Sequence, residues 1–318
     1  MMPLLPNTPV ADPMTARDLV GYGETPPDPR WPNGARLAVN FSLNVEGGGE
    51  ATPYNGDAVS EGMLNDIGVP TREGRRDPLV ESVFEFGSRR GAWRVLDIFG
   101  RFGVPLSILA VARAAEQNPD LIRACAARGH EIVSHGWRWI DYVEVDEATE
   151  RAHIAKAVEV LTATVGERPL GWMTGRPGPN TRRLLMEEGG FLYDRDSLAD
   201  ELPWWVRHPQ TGAPFLIVPY SYECNDNRFN SNSGFSTADD FFTYIRDAFD
   251  MMLDEGRAGS PKLLSVALHD RLIGRPGRAA GLVRRLDHMR KHDDVWFCRG
   301  IDVARHWAAT FPVANVAG

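Results

Sequence analysis

Cysteine is scarce in this chain: Cys125, Cys224 and Cys298 are scattered over 318 positions without a CxxC pair. That spacing argues against a disulfide framework and against a cysteine-built zinc site, leaving core thiols. Long apolar runs are missing too, since stretches such as Leu263–Leu268 fall far below the ~20 residues of a membrane helix. Positive charge is not in excess: 35 Lys+Arg against 43 Asp+Glu give a net charge of −8, with no electrostatic footprint for nucleic acid or an anionic membrane. Met1–Arg17 has no basic segment followed by an apolar one, so a cytoplasmic location is expected. What is present is 43% hydrophobic residues, enough for a large core, and the expected partner is a small molecule.

Proline gathers in the first 33 residues ("ETPPDPRWPNG"), which predicts an extended arm over 1–34 packing on a core or on a neighbouring subunit. A catalytic domain over 35–310 and a tail over 311–318 follow. From Ala35 short apolar runs alternate with amphipathic ones. "ARLAVNFSLN", "VPLSILAV", "HEIVSH", "RPLGWMT", "FLYD", "FLIVPYS", "KLLSVALH" and "VWFCR" read as strands. "RRGAWRVLDIFGRFG" reads as a helix with Trp93, Leu96, Phe99, Val95 and Phe102 on its stripe. "NPDLIRACAARG" carries an N-cap at Asn118, Pro119 at its first position and a stop at Gly129. Further helices are predicted over Asp146–Val165, Thr237–Glu255 and Arg278–Lys291, and in "NTRRLLMEEG". This alternation predicts an α/β chain with a parallel sheet, closed as a (β/α) barrel rather than left as an open doubly wound sheet.

In such a barrel, chemistry sits at the carboxyl ends of the strands. The residues just past the predicted strands are Asn44 and Glu46, Ser134 and His135, Thr174 and Arg176, Asp194 and Asp196, and His269 and Asp270. Acids, bases and donors therefore converge on one mouth. Taken singly, Asp194 or Asp196 reads equally well as a helix cap or a salt-bridge partner.

At these residues the chain resembles the polysaccharide deacetylase (NodB-homology) family. "GHEIVSHGWRWID", "MTGRPGPNTRRLL", "LSVALHD" and "LNVEGG" correspond to its motifs. "GYGETPPDPRWP", "GWMTGRPGPNTRRLLMEEGGFLYD", "LHDRLIGRP" and "DVARHW" resemble its metal-independent, allantoinase-type branch more closely. The resemblance implies a distorted TIM-like (β/α) barrel, amide hydrolysis and a homo-oligomer, a tetramer in that branch. Family deacetylases hold a divalent metal with one aspartate and two histidines, beside an aspartate base. Here the aspartate pair falls on Val45 and Glu46, His135 is kept, and the second histidine is Trp139, whose indole cannot ligate zinc. No cofactor is therefore expected; zinc held by Glu46, His135 and His269 is the alternative.

Without a metal, a side chain must activate water and fixed donors must hold the oxyanion. Glu46 is the candidate base or water-orienting group, its pKa expected to rise in a mouth lined by Trp137, Trp139 and Trp172. His135 and His269 are the candidate donors, and Arg176 the fork for a ureido carbonyl. Asn44 and Asp194 complete the expected substrate-binding set. The expected reaction is ring opening of a cyclic amide, foremost allantoin to allantoate. Another cyclic imide, or a carbohydrate N-deacetylase, is the alternative, with Glu50–Val80 and Arg195–Ala213 as the loops expected to set specificity.

Overall fold

Val39, Phe41 and Leu43 alternate with Asn40, Ser42 and Asn44, and in the computed structural model, which describes residues 17–231 and 234–313, that alternation builds the barrel axis. Strand β1 (Leu37–Val45) is buried along its whole length. Its odd-numbered side chains join the core covered by the helices, so its even-numbered ones project to the opposite, inner face. Polar groups there need partners and have them. Asn40 donates to Ser107 Oγ (3.1 Å) and the Cys298 carbonyl (2.9 Å), and Arg195 donates to Ser42 Oγ (2.7 Å) and Ser265 Oγ (2.8 Å). Continuing the same face past Asn44 brings the chain to Glu46 at the rim.

The remaining strands are β2 (Ser107–Ala110), β3 (Glu131–Ser134), β4 (Gly171–Trp172), β5 (Tyr193–Asp194), β6 (Trp204–Arg207), β7 (Pro214–Ile217), β8 (Lys262–His269) and β9 (Val295–Cys298). Their order is β6-β7-β5-β4-β3-β2-β1-β8, with β9 beside the first half of β1. Every ladder is parallel except β6–β7. Among the described residues, β7 and β8 share no ladder; a single bridge, Asn225 to Ala267, spans that seam. The result is one domain with a curled sheet, a distorted TIM-like barrel left open on one side.

The helices are α1 (Pro78–Phe86), α2 (Ala92–Phe102), α3 (Ala112–Gln117), α4 (Pro119–Ala127), α5 (Glu147–Val165), α6 (Thr181–Glu188), α7 (Ala238–Arg257), α8 (Pro276–Met289) and α9 (Gly300–Thr310). Local signals set their ends: Asn118 accepts from Leu121 N ahead of Pro119, and Asp146 accepts from Thr149 N. The stripe on α2 is centred on Val95, Leu96 and Phe99, with Ala92 and Ile98, whereas Trp93 and Phe102 are half-buried at its edges. Strand β6 and helices α1, α3 and α9 were not predicted. Of the arm, residues 1–16 lie outside the described residues; Trp31 is buried against Trp296, His306 and Trp307 and donates to the Lys262 carbonyl (3.0 Å). Among the described residues no helix is long and apolar enough to cross a membrane.

Candidate active site

Just past β1 the chain turns through Gly47–Gly49, with Gly48 in the left-handed region (φ 98°) and Gly49 N donating to the Glu46 carbonyl at 2.8 Å. The turn ends the strand and leaves the Glu46 side chain fully buried at the barrel mouth. Three groups meet it. His135, after β3, places Nε2 3.2 Å from Oε1, and His269, ending β8, places Nε2 3.7 Å from the same oxygen. Arg271 donates through Nη1 to Oε2, and both members of this ion pair are fully buried.

Arg271 was not anticipated, and it reverses one expectation. Burial alone would lift the Glu46 pKa; the Arg271 charge, His269 and the His135 hydrogen bond together outweigh it and hold the carboxyl well below its ordinary range. Glu46 is thus a fixed anion rather than a base poised near neutrality. Position 271 lies in the turn after β8, beyond the strand-end residues His269 and Asp270, and nothing local in the sequence marks it.

Asp226 was also missed. Its Oδ2 accepts from the backbone N–H groups of His269 (2.7 Å) and Ile273 (3.1 Å), and its Oδ1 faces His269 Nδ1 at 2.6 Å. A carboxylate there fixes the proton on Nδ1 and turns the basic Nε2 toward Glu46 and the cavity. His135 is held similarly: its Nδ1 faces the Met173 carbonyl, which can only accept. The sequence signal for Asp226 is weak, because it lies in an irregular segment after β7.

A cavity of about 360 Å³ opens onto this cluster, lined by Asn44, Glu46, His135, Trp139, Arg176 and His269 among others. Six of the nine predicted site residues therefore come together. Arg176 stacks on Trp139 (3.9 Å to the ring centroid) and reaches Glu61 at 3.5 Å. Arg271 approaches the same indole at 4.9 Å, so Trp139 contacts two guanidinium groups. Asn44 donates to the Leu268 carbonyl (2.8 Å) and Tyr220 OH (3.2 Å). Met63 and Leu64, from the 50–80 loop, also line the cavity, and the Leu64 carbonyl accepts from Arg271 Nε (2.9 Å).

The other three lie elsewhere. Trp137 packs outside the mouth between Arg113 and Lys156, and Trp172 stacks edge-on with Phe191 in the core. Asp194 pairs with Arg182 Nε (2.7 Å), while Asp196 accepts from Thr174 N and Gly175 N (both 2.8 Å) and so braces the loop leading to Arg176. Burial, with the Asp194 charge beside it, pushes the Asp196 pKa up to about 6. Trp137, Trp172 and Asp194 do not line this cavity, and for Asp194 strand-end position alone does not say which face a side chain takes.

Residues 72–185 match the polysaccharide deacetylase family profile. A Schizosaccharomyces pombe relative named "Putative polysaccharide deacetylase" is 38% identical over 313 residues, which are 93% of this chain and 98% of its own. The chain belongs to the polysaccharide deacetylase family. Among solved structures, Puue allantoinase is 53% identical with a TM-score of 0.92, over 94% of this chain and 99% of that one. A "probable Polysaccharide deacetylase" from Pseudomonas aeruginosa PAO1 is 51% identical with a TM-score of 0.91, over the same shares. As a member of this family the protein is a hydrolase.

The metal that the family's deacetylases carry does not fit this donor set. Trp139 stands where the second histidine would be, and Arg271 already supplies a cation to Glu46. Among the described residues, three donors fall within 4.8 Å of one another at Asp250, His288 and His292, not at Glu46, His135 and His269.

Proposed function

We propose that this hydrolase opens the ring of a cyclic amide without a catalytic metal, with allantoin, opened to allantoate, as the foremost substrate. One observation carries the reading: the fully buried Arg271–Glu46 pair occupies the mouth with its own positive charge, flanked by two histidines. The likeness to Puue allantoinase supports the choice of ring. The cavity, at about 360 Å³, lies at the small end of ligand pockets and suits a ureide better than a polymer.

In this mechanism His269 Nε2 takes the proton of the attacking water as oxygen bonds to the ring carbonyl carbon, and Asp226 stabilises the imidazolium through Nδ1. Glu46, kept ionised by Arg271, orients the water and holds the imidazolium electrostatically. Arg176 grips the ureido carbonyl, and His135, which faces an acceptor from each ring nitrogen and so donates from both only as the imidazolium, gives its Nε2–H to the developing oxyanion. Collapse breaks the C–N bond, and His269 returns its proton to the leaving nitrogen. A hydantoin ring eases this step, because its leaving nitrogen is resonance-stabilised.

The test is a panel of allantoin, hydantoin, succinimide and a chitin oligomer on one preparation, with and without a strong chelator. Allantoin turnover unchanged by chelation is expected. Acetate release from chitin, or activity lost on chelation and restored by zinc, overturns the reading.

A further inference from the structure

Helices α7 and α8 pack side by side on the outside of the barrel, away from the mouth, and at one end of their seam they bring together groups that the proposed chemistry does not use. Asp250 lies on α7, His288 in the last turn of α8 and His292 one turn further on. One donor atom from each lies within 4.8 Å of the other two. His288 Nε2 is 2.7 Å from Asp250 Oδ1, and the two imidazoles meet edge to face with centroids 5.5 Å apart. Phe249 supports both rings, at 5.8 Å from His288 and 5.4 Å from His292.

We propose that Asp250, His288 and His292 form a binding site for a transition-metal dication of the zinc class, which staples α7 to α8. Two imidazoles and one carboxylate are the donor set of Zn²⁺, Co²⁺ or Ni²⁺; Ca²⁺ and Mg²⁺ take oxygen ligands. Bonds of about 2.0–2.1 Å place tetrahedral ligands about 3.3 Å apart, so the 2.7 Å His288–Asp250 contact opens slightly on binding while His292 closes in, both by side-chain rotation. The side chains of His288 and Asp250 are 27% and 43% exposed, open enough for an ion to enter and for water to complete its shell.

The surroundings favour a cation. Arg257, which contacts His292, pairs with Asp254 at 3.7 Å and has its fork committed to Asp294 (2.8 and 2.9 Å). Its contact with His292 Nδ1 is long, at 3.4 Å. A plain His288–Asp250 hydrogen bond explains two of the three residues and leaves His292 with the long Arg257 contact and its packing on Phe249. Because this site is separate from the mouth, metal bound here adds stability without adding chemistry.

The test titrates Co²⁺ and Zn²⁺ into the metal-stripped full-length protein, reading Co²⁺ absorption, stoichiometry and apparent Tm. Expected are one equivalent bound with tetrahedral Co²⁺ bands and, with free metal at 100 times Kd, a Tm rise of about 5 °C. Both signals should vanish in His292→Gln and in Asp250→Asn, whose unmetallated Tm reports folding, and persist in His135→Gln. No uptake by the wild type overturns the proposal. So does uptake that survives His292→Gln and Asp250→Asn but is lost in His135→Gln, since that metal would belong to the mouth.

Discussion

At the scale of single residues, the buried carboxylates of the site do different work. Replacing Glu46 by Gln strands Arg271, so stability should fall by about 3–5 kcal/mol as for other broken buried pairs, and turnover should fall with it. Asp226→Asn separates chemistry from folding. An amide with its oxygen at the Oδ2 position keeps both backbone bonds, while its nitrogen faces His269 Nδ1 and forces the proton onto Nε2. The base is lost, and kcat should drop by roughly 10²- to 10⁴-fold with KM little changed. Full turnover in Asp226→Asn removes His269 as the base. Asp270, the neighbour of both His269 and Arg271, has one oxygen on Arg271 N and the other buried without a partner. Burial pushes its pKa up from 3.8 to about 8, against the pull of Arg271. Between those values the native state holds a proton that the unfolded chain has released, so stability declines as pH rises, by up to about 1.4 kcal/mol per pH unit. Urea unfolding between pH 6 and 8 should show that slope in the wild type and a flatter one in Asp270→Asn; parallel slopes would count against a protonated Asp270.

At the scale of elements, the segment carrying Asp270 and Arg271 is positioned by backbone contact. Between α1 and α2 the helix widens into a π-turn over Gly87–Gly91. A Cβ at Gly91 would lie 2.0 Å from the Asp270 carbonyl oxygen, and one at Gly274 would lie 2.1 Å from the same atom. Gly91→Ala must therefore displace the 270–274 loop, and with it Arg271. We expect a loss of about 1–3 kcal/mol and lower turnover. Gly100→Ala, where nothing lies within 4 Å of the new Cβ, should instead stabilise α2 by up to about 1 kcal/mol. A Gly91→Ala protein with wild-type Tm and kcat would refute the coupling. The same elements explain what was readable in the sequence. Helices with their own punctuation, such as Asn118-Pro119 or Asp146 to Gly166, were found because caps are local. The fully buried run of β1 was equally plain. Strands β4 and β5 shrink to two residues each, because pairing to a curved neighbour is not written in either segment. Strand β6 runs antiparallel at the sheet edge, outside the βα alternation that guided the assignment. Of the site, His135, His269 and Glu46 were legible as strand-end residues. The Glu46–Arg271 bond, which changes the meaning of Glu46, joins positions 225 apart and has no local signature.

At the scale of the whole molecule, packing that carries no chemistry gathers at the end of the barrel opposite the mouth. Strand β8 runs from Lys262 to His269, seven steps of about 3.3 Å, so its two ends lie roughly 23 Å apart. At its start, the Lys262 carbonyl takes the indole N–H of Trp31, which fastens the end of the arm under β9 and α9. At its finish, His269 faces Glu46 across the mouth. Barrels of this kind carry catalysis on the carboxyl face and packing on the other, so a packing loss at the far end should leave the chemistry intact. Trp31 is 2% exposed, and Trp31→Ala removes a large buried side chain together with the donor to Lys262. The expected cost is about 3–5 kcal/mol, with kcat per folded molecule unchanged because the mouth is intact. Asp226→Asn should give the reverse, near-native melting with turnover lost. Measuring active-site titre, kcat and Tm on both variants decides the matter. If Trp31→Ala lowers kcat per active site while still fully folded, the base and mouth are coupled through the β1–β8 pair, and the division of labour along the barrel is wrong.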